Sequence, residues 1–279
     1  MSAVGEPLFP PELEREIFET TGLIYPRSIP TLLRVCRRSL MWIEPMRYRL
    51  IRSSNRGHAK IIERVKNSKP PSFFRGAVRH LALNRDLTEV EKMEVLSVCT
   101  GVVDLVLHEA TPAMLPLLSA MRLQRLAVSL MCLFGRFTGV GPAPLFASVT
   151  HLHLSDWPLP CILAFLPTLP ALTHLRFNVW LPWSDIAMLL RECKKLEVLA
   201  PFLRPSEVVA EDVVRDIRLV VVGYADYWDG VLYNKIGIPF FSAPAWCDFW
   251  ECADAFVTKR RSGAVPGLNS VMADERNTN

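Results

Sequence analysis

The sequence predicts an α/β fold in which a small bundle of helices precedes a curved parallel sheet with helices on its outer side, followed by a helical cap. Three observations predict it: an apolar motif recurs from residue 78 onward, helix signals fill the segments between its copies, and the segment before them shows helical periodicity alone. The chain has 279 residues, of which 50% are hydrophobic and 22% are charged. This composition allows a sizeable core and excludes a chain that is disordered throughout.

The amino-terminal segment is predicted to form three short helices. Pro10 and Pro11 suit a first helical turn, whose N–H groups have no partner within the helix, and Glu12 opposes the positive end of the helix dipole. A second helix is expected over 30–43 and a third over 45–52. A unit this small buries little surface, so we expect it to rest on a partner.

The same segment, residues 7–52, resembles an F-box. The resemblance rests on the run Leu8-Phe9-Pro10-Pro11-Glu12-Leu13-Glu14-Arg15-Glu16-Ile17-Phe18 and on Leu32-Leu33-Arg34-Val35-Cys36-Arg37-Arg38, followed by Trp42. The family's pattern is Leu-Pro-x-Glu-Leu-x-x-x-Ile-Phe, then Leu-x-x-Val-Cys-Arg and an aromatic residue. Trp42 stands later than the family usually has it, which is similar to the divergent F-box-like proteins expanded in mushroom-forming fungi.

The resemblance implies docking on the Skp-type adaptor of a cullin-RING ubiquitin ligase. By position it assigns seven adaptor-binding residues: Leu8, Pro10, Leu13, Ile17, Leu33, Val35 and Cys36. The alternative interpretation is that these side chains form only the bundle's own core.

Basic residues are concentrated in the segment 27–66, which carries eleven Lys or Arg against two Glu, whereas the whole chain has a net charge of +4. Such a segment fits an acidic adaptor surface or a nucleic acid. RNA recognition favours aromatic side chains interleaved with arginines, and here only Trp42 and Tyr48 are available. A nucleic-acid binder is therefore the less favoured interpretation.

A motif of apolar residues at positions 0, +3 and +5 starts at residues 78, 102, 123, 149, 172, 196 and 217. The spacings lie within the range of about 20 to 29 residues that is typical of leucine-rich repeats. Each copy is predicted to form a strand, and helix signals follow, such as the capping pair Thr88 and Glu91 or Ser184 before 185–194. The segment 78–223 resembles the leucine-rich repeats that follow an F-box, with 53–77 as a linker helix and loop.

The alternation of side chains on a strand places the +3 and +5 positions inward and the +2 and +4 positions on an exposed concave face. Six residues of that face are candidate target-binding residues: Asp104, Arg125, His151, His153, His174 and Arg176. Because neighbouring strands lie about 4.8 Å apart, the last four are expected to cluster. We expect an acidic or phosphorylated ligand, bound more tightly as pH falls and histidine gains charge. Zinc held by the three histidines is the disfavoured alternative, since no carboxylate or cysteine lies beside them on these strands.

The carboxy-terminal residues 224–261 are predicted to include a helix that caps the open end of the repeats. Trp246, Trp250 and Val257 recur at helical spacing, and basic residues at 259–261 suit the negative end of a helix. Residues 262–279 lack periodicity and are predicted to form a flexible tail.

Composition and motifs indicate a binding protein of the cytoplasm or nucleus. Seven scattered cysteines without a CxxC pair indicate reduced thiols, and neither a signal peptide nor a membrane span is expected. Motifs of hydrolases and metalloproteases are missing, so we expect neither an enzyme nor a cofactor or metal. The expected function is that of a substrate-recognition subunit of a Skp-cullin-F-box type ubiquitin ligase. A free-standing leucine-rich-repeat scaffold with a decayed F-box is the first alternative.

Overall fold

The structure is a computed structural model that describes residues 9–53, 69–136, 144–202, 216–220 and 249–264. It confirms the α/β class. Within these residues, seven parallel strands form one sheet in which each strand pairs with the next one along the chain. The strands are β1 Leu50–Arg52, β2 His80–Leu83, β3 Asp104–Leu107, β4 Arg125–Val128, β5 His151–Leu154, β6 His174–Trp180 and β7 Val198–Phe202.

The strands begin where the repeated motif predicts them. Each of β2 to β7 starts two residues after a motif start. In the last copy the predicted phase is wrong by one residue, because Leu219 at +2, and not Val220 at +3, forms a parallel bridge with Leu199 at +3 of the preceding copy. Equivalent positions are also neighbours in register, as in His80 beside Asp104 and His151 beside His174. We call the side of the sheet that carries the +2 and +4 positions the front face, and the other side the back face.

The main core lies on the back face. The +3 and +5 side chains of β2 to β6 are all buried there: Leu81, Leu83, Leu105, Leu107, Leu126, Val128, Leu152, Leu154, Leu175 and Phe177. Helices between the strands supply the opposing layer, with buried side chains such as Leu96, Leu118 and Leu189. Since no single repeat can bury its own apolar face, the repeats stabilise one another.

The intervening helices are α4 Pro71–Ala77, α5 Glu89–Val98, α6 Leu115–Ser119, α7 Leu130–Phe134, α8 Pro160–Phe165 and α9 Trp183–Glu192. The capping box predicted for α5 is present, with Thr88 Oγ1 accepting from the Glu91 N–H at 3.3 Å. The cap predicted at Ser184 is wrong, because α9 begins at Trp183, two residues before the predicted start at 185, and its N-cap is Pro182. A Cβ at Gly101 would collide with the Arg75 carbonyl oxygen, so α4 and the turn after α5 pack too closely for any other residue.

The amino-terminal helices are α1 Pro11–Ile24, α2 Ile29–Leu32 and α3 Arg37–Ile43. The helix predicted over 30–43 is interrupted because Cys36 has extended backbone angles and caps α3, its Sγ accepting from the Ser39 N–H at 3.4 Å. The third predicted helix is also wrong: a 3-10 turn, Glu44–Tyr48, is followed after Arg49 by β1. Ile51 of β1 is buried in the main core, so the sheet begins inside the segment that was predicted to be helical.

The last helix, α10 Phe249–Arg261, lies against the front face. Its buried residues Phe249, Trp250, Ala253 and Val257 form a second core with Val198, Ala200 and Val220, which continue the front-face columns. The prediction of a carboxy-terminal helix is confirmed for 249–261, but its place differs from a cap over the open end. Cys252 on this helix is disulfide-bonded, contrary to the expectation that all cysteines are reduced.

Asp156 links two repeats through the start of α7. This buried carboxylate accepts hydrogen bonds from Ser129 Oγ at 2.6 Å and from the backbone N–H groups of Leu130 at 2.6 Å and Met131 at 3.2 Å. These N–H groups begin a helix and have no partner within it. Asp156, which belongs to the following repeat, therefore supplies the hydrogen-bond acceptor for the N–H groups at the start of α7.

Asp156→Ala is expected to lower the free energy of unfolding by about 2–4 kcal/mol, because it leaves three buried or half-buried donors without their acceptor. Urea unfolding followed by circular dichroism would measure the change. The exposed Asp86→Ala is the matched control and should alter stability by less than about 0.5 kcal/mol. Equal effects of the two substitutions would contradict the role of Asp156.

Within the described parts of the chain, every helix is too short or too polar to cross a membrane.

Candidate functional site

The inner side of α1 packs against the rest of the amino-terminal bundle. Gly22 is buried, and a Cβ there would lie 3.0 Å from the side chain of Met46. Phe18 contacts Trp42 of α3, with 6.2 Å between the ring centroids. The contacts of Gly22 and Phe18 identify which side of the helix faces inward.

The outer side of α1 carries apolar side chains in solvent. Leu13, Ile17 and Ile24 are 47%, 50% and 61% exposed. Their spacing of four and seven residues places them on one side of the helix, opposite Gly22. We call these three residues the bundle stripe.

Large exposed apolar side chains are concentrated in this bundle. Nine occur between residues 9 and 41: Phe9, Leu13, Ile17, Leu23, Ile24, Tyr25, Val35, Leu40 and Met41. In the remaining described residues such side chains are scattered, as at Val90 and Trp157. Single exposed apolar residues are normal, whereas many on one small unit indicate an interaction surface.

The predicted adaptor-binding residues differ in how far they are exposed. Leu13 and Ile17 are in the bundle stripe, and Pro10 is exposed just before α1. The turn before α3 exposes Val35 and Cys36. Two further residues complete the set: Leu33 is half-buried, and Leu8 lies outside the described residues. The alternative, in which these side chains form only the bundle's own core, is therefore contradicted by the exposure of Leu13, Ile17 and Val35.

Ile24, Leu40 and Met41 are exposed apolar residues that the family pattern did not single out. For Ile24 the signal was available in the sequence, since it follows Ile17 by two helical turns. Leu40 and Met41 could not be found in this way, because their exposure depends on how α3 packs against α1.

Most described arginines of the basic segment are exposed on the surface of the bundle. Arg27, Arg34, Arg37, Arg47 and Arg49 are exposed, while the half-buried Arg38 pairs with Glu14 at 3.3 Å. Residues 54–66 of this segment lie outside the described residues. The exposed arginines give the bundle a positive surface that would complement an acidic partner.

The front-face residues cluster as predicted. The His151 and His174 rings are stacked with 4.0 Å between centroids, and His153 lies beside Arg176 in register. Arg125 is the neighbour of His151 on the other side.

The exposure that was expected for these residues is wrong for three of them, since Asp104, His174 and Arg176 are buried. Asp104 Oδ2 lies 2.7 Å from His80 Nδ1, and this pairing covers it in part. His174 is covered by α10, because the Trp250 ring lies edge-on at 5.5 Å and Asp254 Oδ1 is 2.9 Å from His174 Nε2. The sequence pattern showed that α10 has an apolar side, but not which surface it contacts.

Two histidines of this cluster, His151 and His153, are held neutral at neutral pH. Burial lowers the pKa of His151 to about 3, and the positive charges of His174 and Arg125 contribute to the shift. Burial also lowers the pKa of His153 well below its ordinary value, with a further effect of Arg176. The expected gain of charge on His151 and His153 in mildly acidic solution is therefore contradicted.

Stability is instead expected to fall as pH is lowered from 6.5 toward 3. The unfolded chain protonates His151 and His153 near their ordinary pKa of 6.5, whereas the folded chain does so only at much lower pH, about 3 for His151. Acid therefore favours the unfolded state, and the full contribution is present only above pH 6.5. The urea midpoint should be lower at about pH 5.5 than at about pH 7.5, where most carboxylates remain ionised. His151→Gln should reduce this difference; a midpoint that does not change between the two pH values would contradict the pKa shifts.

Metal binding finds no geometric support in the described residues, where no three His, Cys, Asp or Glu side chains are grouped to hold an ion.

No protein-family model matches the sequence, and no curated protein shows significant similarity to it.

Proposed function

We propose that this chain is the substrate-recognition subunit of a Skp-cullin-F-box type ubiquitin ligase, of the divergent kind expanded in mushroom-forming fungi. Its amino-terminal bundle would be a divergent F-box that docks on the Skp-type adaptor. The sheet would be an irregular leucine-rich-repeat solenoid that holds a target protein.

The observation that carries the proposal is the bundle stripe. Leu13 and Ile17, which the F-box pattern assigns to the adaptor, remain about half exposed although they stand in an ordered helix. Completing the burial of each would contribute about 1 kcal/mol to an interface. Exposed arginines around them suit an acidic adaptor.

The chain would contribute no catalytic group. It would act in the cytoplasm or nucleus by holding a target near the ligase, which raises the local concentration of the target. Ubiquitin transfer would be carried out by its partners.

The test is direct association. The purified full chain would be mixed with a purified Skp-type adaptor and separated by size-exclusion chromatography, with the dissociation constant measured by calorimetry. A stable one-to-one complex is expected. Separate elution of the two proteins, with the chain folded, would contradict the proposal.

A second candidate is a free-standing leucine-rich-repeat scaffold whose F-box has decayed. Trp42 favours it, since this aromatic is half-buried against Phe18 inside the bundle and contributes only part of its surface to a partner. Failure to bind the adaptor, together with capture of other proteins by the sheet, would support this candidate.

A further inference from the structure

Arg176 is a buried cation of the front face. The residue is 8% exposed, and its guanidinium carbon lies 4.2 Å from the centroid of the Phe249 ring. Among the described residues the structure gives it neither a hydrogen bond nor an acidic partner. Burial lowers the pKa of Arg176 to about 9, so the group remains charged at neutral pH.

His153, the neighbour of Arg176 on β5, has an unsatisfied ring nitrogen. Its Nε2 atom is buried and has no hydrogen-bond partner. Because the low pKa keeps this ring neutral, it can offer one N–H donor. An unsatisfied ring nitrogen and a cation without a counter-charge are therefore neighbours in register, and both can donate hydrogen bonds.

A buried guanidinium without a counter-charge is costly, and so is a buried ring nitrogen without a partner. One acceptor with a single negative charge would satisfy both. A carboxylate fits, because its two oxygens match the fork of an arginine. A phosphate dianion fits less well, since Arg176 supplies one positive charge and His151 and His153 are neutral.

We propose that Arg176 and His153 form a binding site for one carboxylate group, supplied by an acidic side chain of a target protein. The apolar floor beside them, Ala127 and Val106, suits the hydrocarbon stem of such a side chain. The Phe249 ring lies over the guanidinium, with its centroid 4.2 Å from the guanidinium carbon. The inference rests on the proposed target-binding role of the sheet and is independent of adaptor docking.

The test uses sodium acetate as the probe and the full chain. Thermal unfolding would be followed in acetate, in phosphate and in sodium chloride at equal ionic strength. At an acetate concentration about tenfold above its dissociation constant, the midpoint should rise by about 2–5 °C relative to chloride. The ring resonances of His153 should shift with the same concentration dependence.

The variant Arg176→Met tests whether Arg176 binds a ligand or has only a structural role. The variant should have a higher midpoint than the native chain in chloride, because it removes an uncompensated buried charge, and it should show no response to acetate. The exposed Arg122→Met is the control and should keep the native response.

The site is overturned if the native chain responds equally to acetate and chloride, or if Arg176→Met keeps the acetate response. A phosphate response as large as that to acetate overturns the carboxylate preference. None of these measurements involves the adaptor, so their failure is distinct from a failure of adaptor binding.

Discussion

Replacing Leu13 by aspartate is expected to abolish adaptor binding while leaving the chain folded. Leu13 is about half exposed on the outer side of α1, so a carboxylate there stays in water and should change stability by less than about 1 kcal/mol. In the complex the same carboxylate would be buried without a partner, which costs several kcal/mol. The dissociation constant should therefore rise at least about 100-fold. Calorimetry with the adaptor, beside urea unfolding of the free chain, measures both quantities.

Two further variants define the surface. Val90→Asp places the same charge on a more exposed apolar residue of α5, outside the bundle, and should bind the adaptor normally. Phe18→Asp changes the inner side of α1 and should destabilise the bundle, because it removes the contact with Trp42. If Leu13→Asp unfolds the chain as Phe18→Asp does, Leu13 belongs to the core and the decayed F-box becomes the better interpretation.

The second large effect concerns α10. Trp250→Ala is expected to lower the free energy of unfolding by about 3–5 kcal/mol, because this indole is only 2% exposed and packs edge-on against His151 and His174. Removing its ring also returns water to His151, so the pKa of that imidazole should rise from about 3 toward its ordinary value of 6.5. Urea unfolding and a proton-NMR titration of the histidine rings measure the two effects.

The matched control for Trp250 is Trp157→Ala. Trp157 is largely exposed, and its removal should change stability by less than about 0.5 kcal/mol. An unchanged pKa of His151 in Trp250→Ala would mean that α10 is not what keeps water from this ring.

The repeats were predictable because one local pattern repeats at intervals that match the packing of a strand and its helix. The same alternation that buries Leu81 and Leu83 places His80 and Ala82 on the front face, and β2 to β7 follow it. The short β1 was missed, because three residues at the end of a helical segment carry too little periodicity to be recognised.

Buried polar residues escaped prediction for a different reason. As a charged residue of α5, Lys92 would be expected on the exposed side of the helix. Its ammonium is instead buried and donates to the His108 carbonyl oxygen at 2.7 Å. Its partner belongs to the next repeat, as the donors bound to Asp156 belong to the previous one. Such pairs depend on which residues of different repeats are neighbours in space, and the periodicity within one segment carries no information about this.

The exposed apolar surface of the amino-terminal bundle was only partly predictable. The family pattern identified Leu13 and Ile17, whereas Leu40 and Met41 became part of the exposed surface only through the packing of α1 against α3. On the front face the columns were predictable from register, but their burial under α10 was not.

The position of α10 also bears on the order in which the chain can fold. Successive strands join residues that are close in sequence, so β1 to β4 can assemble one after another as the chain emerges from the ribosome. The His174 to Asp254 pair instead joins residues 80 positions apart. Closing so long a loop is slow, and the front face of β6 and β7 stays incomplete until α10 has been synthesised. The carboxy-terminal half of the sheet is thus the part of the nascent chain that depends longest on protection from aggregation.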